Sequence, residues 1–126
     1  MERPLFKHFF KEQLQRDMLA NAGIVRCKEG LETLLTKLPS LNFRPDLSAM
    51  SSEQIELLFM HINASLITHA ALTRTESHGV HIRQDYEQKD NRWEKQWIVF
   101  QQGLMNVRSH LYEHNQVKKY AHAIFQ

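Results

Sequence analysis

The segment from Ser51 to Ala71 constrains this chain more than any other. Ser51 and Gln54 stand three apart, the spacing of a capping box, in which hydroxyl and amide each satisfy the other residue's backbone N–H at a helix start. Behind them Ile55, Leu58, Phe59, Ile62 and Leu66 recur at helical spacing, and Leu57, Met60, Ala64, Ile67 and Ala71 form a second stripe. A helix apolar on two sides needs neighbours on both, so the pattern predicts a central helix. Fully burying each large side chain contributes roughly 1.5–3 kcal/mol, which makes this helix the keystone of the core.

The same period marks its neighbours. Phe6, Phe10, Leu14 and Met18 fall at every fourth position, with Phe9 and Leu19 widening the stripe, and predict a helix over residues 4–21. Pro4 suits the first turn, where its missing N–H costs nothing. Leu31, Leu34, Leu35 and Leu38 form an i, i+3, i+4, i+7 face that Pro39 stops. Residues 39–50 read as a long crossing loop, residues 87–95 as a charged loop, and Trp97-Ile-Val-Phe as a short β-prone run. Beyond Gly103, the residues Leu104, Val107, Leu111, Val117, Ala121 and Ile124 predict a fourth amphipathic helix. The expected fold is all-α, with residues 1–126 as one helical domain. It is an antiparallel three-helix bundle with an extra C-terminal helix and a short extended segment.

Composition removes several classes of function. Sixteen basic and 14 acidic residues leave a net charge of +2, too balanced to point to a nucleic-acid partner. The four glycines (Gly23, Gly30, Gly79 and Gly103) build no Gly-x-Gly-x-x-Gly turn, so no dinucleotide cofactor site is expected within the chain. The single cysteine, Cys27, excludes an intrachain disulfide and suits a reducing, cytoplasmic compartment. It follows Arg26 and precedes Lys28 but has no recognisable base partner, and the carboxylates form no acid–base pair. Apolar runs are read as too short to span a bilayer, so no membrane partner is expected. His78 and His81 are three apart and His110 and His114 four apart, but neither pair has a third ligand nearby, and no metal site is expected. The aromatic residues suit packing better than base stacking.

The densest chemistry lies in residues 70–86. Arg74, His78, His81 and Arg83 are interleaved with the acceptors Glu76 and Asp85, and Gly79 can adopt the positive φ that ends a helix. Two readings stand. The segment is either a surface built to hold another surface, or a helix C-terminus whose basic residues satisfy the last carbonyls and the dipole.

Arg74-Thr-Glu-Ser-His-Gly-Val-His-Ile-Arg-Gln-Asp-Tyr86 resembles the Arg-x-Glu-Ser-Arg-Gly-x-His-x-Arg-x-Asp-Tyr signature of the C-terminal helical domain of L-aspartate oxidases. Fumarate reductase and succinate dehydrogenase flavoproteins share that signature. Met18 to Leu38, with Ala22-Gly-Ile-Val-Arg-Cys-Lys-Glu-Gly-Leu31 inside it, is similar to the stretch preceding it in that family, and Trp93-Glu-Lys-Gln-Trp-Ile-Val-Phe100 to the one following. The three motifs stand in family order and cover most of the chain from about Leu14 to Phe100. The Ile-Val-Phe ending leans toward aspartate oxidase. Three positions depart from the pattern: His78 replaces an Arg, Glu87 a Pro, and Trp97 a His.

The resemblance implies a spectrin-repeat-like three-helix domain that packs against the flavin-binding domain of a parent enzyme. In aspartate oxidases that enzyme uses FAD to convert L-aspartate to iminoaspartate, which feeds quinolinate and NAD synthesis. The family's catalytic residues belong to domains absent here, so the chain alone is expected to be inactive and to hold no cofactor. Arg74, Glu76, Gly79, His81, Arg83 and Asp85, with Arg26 nearby, are the implied domain-interface residues. A parent of the fumarate reductase or succinate dehydrogenase kind, or a stand-alone helical interaction module, are the other readings.

Overall fold

The long apolar stripe forms the longest element among the described residues, and two shorter helices pack against it. The structure, a computed structural model, describes residues 11–42, 44–101 and 104–109. Its helices are α1 (Lys11–Ala22), α2 (Lys28–Leu35) and α3 (Ser52–Thr73). The capping box of α3 is complete: the Gln54 N–H donates to Ser51 Oγ at 3.1 Å, and the Ser51 N–H donates to Gln54 Oε1 at 2.9 Å. Leu14 and Ala22 of α1, Leu31 and Leu34 of α2, Leu38, and Ala64 and Ala71 of α3 share one buried cluster. Met18, Met60 and Leu72 pack against it.

Three of the four leucines expected on the α2 face are buried, and Leu35 is half-buried. The helix ends at Leu35, ahead of Pro39, whose carbonyl accepts from Ser65 Oγ at 2.7 Å and ties the crossing loop to α3. Leu19, expected in the α1 stripe, is exposed. Phe6, Phe9, Phe10 and the start of the helix expected over residues 4–21 lie outside the described residues.

The buried face of α3 differs from both expected stripes. It comprises Leu58, His61, Ala64, Ser65, Thr68 and Ala71, while Phe59 and Ile67 are exposed. Polar residues can occupy the interior here because each reaches a backbone acceptor. Thr68 Oγ1 donates to the Ala64 carbonyl at 2.7 Å, and His61 Nδ1 lies 2.9 Å from the Leu57 carbonyl. The helix α3 has 22 residues and contains an 18-residue window with a mean hydropathy of 1.3. By length and composition alone it is long and apolar enough to cross a membrane, where the sequence reading finds no apolar run of that length. One face of it packs against α1 and α2, and about a third of that window is buried.

The protein is not all-α. Among the described residues, two small sheets and a short 3-10 turn (Asn91–Trp93) accompany three α-helices and make the arrangement mixed. Strand β1 (Val25–Arg26) pairs in parallel with β2 (Ile82–Arg83), placing Val25 opposite Ile82 and Arg26 opposite Arg83. Strands β3 (Gln96–Gln101) and β4 (Leu104–Ser109) form an antiparallel pair with Gln96 opposite Ser109 and Gln101 opposite Leu104. The β-prone run lies in β3, as expected. The expected fourth helix fails at its start, because Leu104 and Val107 belong to β4. Two apolar residues at helical spacing are a weak local preference, and the aromatic and β-branched edge of β3 offers a full ladder of backbone partners instead. Leu111, Val117, Ala121 and Ile124 lie outside the described residues.

Gly23 is where α1 gives way to β1. A Cβ there would sit 2.7 Å from the Leu19 carbonyl oxygen, so only glycine lets the chain turn so tightly off the helix.

Candidate functional site

The chain between α3 and β3 folds into a polar elbow anchored by β2. The Ile82 N–H donates to the Ile24 carbonyl at 3.1 Å and the Gln84 N–H to the Arg26 carbonyl at 2.7 Å, which fixes β2 beside β1. Before β2, His78 and His81 exchange backbone bonds of 2.8 and 3.1 Å around Gly79 and Val80. Gly79 has φ +62°. The positive φ expected of it is real, but it serves this two-residue turn, whereas α3 has already ended at Thr73.

Arg83 is the centre of the inner half. It is 1% exposed, and its Nη1 donates to the carbonyls of Ala71 and Leu72 at 2.8 and 2.9 Å and to that of Arg74 at 3.3 Å. These are terminal carbonyls that the helix leaves without N–H partners, and a cation there also suits the helix dipole. Nε and Nη2 hold the two Asp85 oxygens at 2.9 and 2.7 Å, a bidentate pair. Asp85 also lies close enough to the backbone N–H of Lys28, the first residue of α2, for that N–H to favour its charged form slightly, and the N-cap Cys27 supplies no side-chain bond there. The ion pair therefore links the last carbonyls of α3 to a carboxylate beside the start of α2. The Arg83 bonds, with lesser help from the Lys28 N–H, hold the Asp85 carboxyl below its usual range despite partial burial. Ser77 braces the turn, accepting from the Arg83 N–H at 2.8 Å and donating to the Tyr86 carbonyl at 2.7 Å. The Arg83 guanidinium lies 5.1 Å from the Tyr86 ring centre.

Glu76, also 1% exposed, closes the other side of the elbow. Its Oε2 accepts from Arg74 Nε and Nη2, both at 2.7 Å, and its Oε1 accepts from the Asp90 N–H at 2.8 Å. Burial pushes this carboxyl up, but the Asp90 N–H and the Arg74 guanidinium outweigh it and leave the group below its ordinary value. Arg74 also lies 5.9 Å over the Trp93 ring, whose Nε1 donates to Thr75 Oγ1 at 3.2 Å.

The outer half is organised by His81. Arg26 donates from Nε to the Gly23 carbonyl at 2.6 Å and from Nη1 to His81 Nδ1 at 2.8 Å, while His81 Nε2 lies 3.0 Å from the Arg74 carbonyl. A guanidinium only donates and a carbonyl only accepts, so His81 is neutral with its proton on Nε2. Burial lowers the His81 pKa most, and the charges of Arg26, Arg74 and Arg83 lower it further against a smaller opposing pull from the Arg74 carbonyl.

All seven residues expected at a domain contact meet in this elbow, but they do not all face outward. Glu76 and Arg83 point into the protein's own interior, and Asp85 reaches α2. Arg26, Arg74, His81 and the Gly79 tip remain at the surface. His78, at the position of the family arginine, is about half exposed, with Nδ1 3.9 Å from Glu76. Two features escaped the sequence reading. One is a set of apolar side chains beside the elbow (Ile24, Val25, Val80, Ile82 and Tyr86), each between 40% and 74% exposed. Their signal was the alternation of Val80 and Ile82 with inward or bonded partners. The other is a groove of about 570 Å3 between α3, the elbow and β3, walled by Ile67, Ala70, Trp97 and Ile98 and rimmed by Arg26, Arg74 and His81. Among the described residues, no group of three His, Cys, Asp or Glu side chains converges as a metal site would require.

The signature elbow, braced between helix ends in this way, belongs to a domain type carried by flavoprotein subunits. The chain is a member of the fumarate reductase flavoprotein C-term family, whose profile matches residues 11–122. It is 35% identical over 99 residues to a CoM/CoB fumarate reductase chain of Methanothermobacter marburgensis, covering 71% of this chain and 18% of that protein. It is 36% identical over 78 residues to the L-aspartate oxidase of Rhodospirillum rubrum, covering 62% and 26%. To the mitochondrial succinate dehydrogenase flavoprotein subunit of Oryza sativa subsp. japonica it is 35% identical over 99 residues, covering 68% and 15%. The chain thus spans roughly a quarter or less of the curated relatives it matches. No solved structure matches it.

Proposed function

We propose that this chain is the C-terminal domain of an FAD-dependent L-aspartate oxidase, seated against the flavin-binding part of that enzyme and contributing no catalytic group of its own. The observation that carries the reading is the exposed apolar set at β1, β2 and the Gly79 turn. Val25 and Ile82 stand opposite each other in register, with Val80 two residues ahead, on the side away from buried Arg83. Proteins seldom leave such a patch uncovered unless a partner covers it. The Trp93 to Phe100 motif and the matches to aspartate oxidases support the choice of parent. In this reading the inward acids and arginine give the elbow its shape, and the apolar set with Arg26 and Arg74 makes the contact.

A fumarate reductase or succinate dehydrogenase parent is the second reading, favoured by the 99-residue matches to proteins of both kinds. The test begins with the gene: an upstream flavin-binding reading frame in phase with Met1 is expected. The purified parent should make hydrogen peroxide in an L-aspartate-dependent way, and the 126-residue chain alone should not. Succinate oxidation without aspartate oxidation would select the second reading. Val80→Asp with Ile82→Asp should lower flavin retention in the parent; unchanged flavin content would reject the contact.

A further inference from the structure

Arg26 is the one elbow arginine without a carboxylate among the described residues. Arg74 is neutralised by Glu76 and Arg83 by Asp85, whereas no ion pair there involves Arg26. Its two bonds, to the Gly23 carbonyl and to His81 Nδ1, engage Nε and Nη1 and are both to neutral acceptors. Of the five N–H donors of a guanidinium, those on Nη2 make no bond among the described residues. The side chain is nevertheless held still, because His81 is itself pinned by the Arg74 carbonyl. Burial and the nearby Arg83 charge both press its pKa downward, the signature of a cation lacking compensation. It lines the groove whose opposite wall is Ile67, Ala70, Trp97 and Ile98.

A fixed, uncompensated guanidinium beside an apolar wall complements one kind of group. We infer that this groove seats an acidic side chain of a docking polypeptide, with its carboxylate on Arg26 and an adjoining apolar residue against Ile67 and Trp97. The inference rests on the docking reading above and names the chemistry that the flavin-binding part would present there. Arginine suits the role because its free edge can take both carboxylate oxygens, and the preset orientation reduces the ordering cost of binding. His81 is a positioning residue in this arrangement: its neutral Nδ1 aims the guanidinium and cannot compete for the anion.

The test needs only the 126-residue chain, so its failure is separable from failure of the docking reading, which is judged on the parent's flavin content. Side-chain NMR signals of Arg26 Nε and the Trp97 indole are followed while N-acetyl-Glu-Leu-amide is added, with N-acetyl-Gln-Leu-amide as the uncharged isostere. Saturable millimolar binding of the Glu probe is expected, about five-fold tighter than the Gln probe and weakened to the Gln level by Arg26→Gln. An Arg26→Lys variant should recover part of the difference, since it restores charge without the two-pronged edge. Equal binding of both probes, shifts confined to other residues, or no shifts at tens of millimolar would overturn the inference. Sodium acetate binding as tightly as the Glu probe would mark an adventitious ion only, and would overturn it as well.

Discussion

Arg26 and Arg83 are register partners in β1 and β2, yet their surroundings are opposite. Arg83 is enclosed, with three carbonyls and both oxygens of a carboxylate around it; Arg26 sits at a groove with two neutral acceptors and no acid among the described residues. Together they show that a charge-dense motif is not the same as a charged surface. The inner half of the elbow uses its charges to close helix ends within the chain. Only the outer half has interaction capacity left over.

Removing the inner clamp should have the largest effect. Arg83→Met leaves terminal carbonyls of α3 unmet and strands Asp85, so urea unfolding should show a loss of about 3 kcal/mol or more. A loss under about 1 kcal/mol would erase the distinction between the two halves. Glu76→Gln comes next, at about 2 kcal/mol, because the amide keeps an acceptor for the Asp90 N–H but gives up the charged bond to Arg74.

The third prediction concerns pH. The folded state lowers the His81 pKa below its ordinary 6.5, so the unfolded chain takes up the proton first as the solution is acidified. Stability from this group is complete above about 6.5 and declines as the pH falls from there toward the folded value. His69, also lowered by burial, contributes with the same sign, so the diagnostic quantity is the difference between wild type and His81→Asn. That difference curve should slope as the pH falls below about 6.5; a flat one would mean that His81 is not held neutral. The smallest effect belongs to the outer half: Arg26→Gln should change unfolding stability by less than about 1 kcal/mol, and a larger loss would make Arg26 a second clamp.

Much of the helical framework was legible in the sequence. The leucines of α2, the Ser51–Gln54 cap and the positive φ of Gly79 each follow from rules that act within a few residues. The second reading of residues 70–86, basic groups satisfying the last carbonyls, describes Arg83 well. What escaped depends on distant parts of the chain. Strands β1 and β2 are two residues each and carry no periodic signal, and β4 takes its form from β3 rather than from its own apolar spacing. The burial of His61, Ser65 and Thr68 was also hidden, because hydropathy does not register a hydroxyl or ring that bonds back to the backbone. The approach of Asp85 to the start of α2 brings together segments far apart in sequence, which no local motif announces. The same gap affects the seven expected contact residues: spacing placed them together but could not say which pointed inward.

The Arg83–Asp85 pair also has a topological corollary. It joins the last carbonyls of α3 to a carboxylate beside the start of α2, and Ser65 holds Pro39 where the connecting loop begins. The stretch beyond Asn42 is thereby relieved of setting the helix spacing. A flexible insert there, doubling the loop, should cost only about 0.6 kcal/mol. That makes it the natural place to graft a tag or open new chain ends without disturbing the elbow.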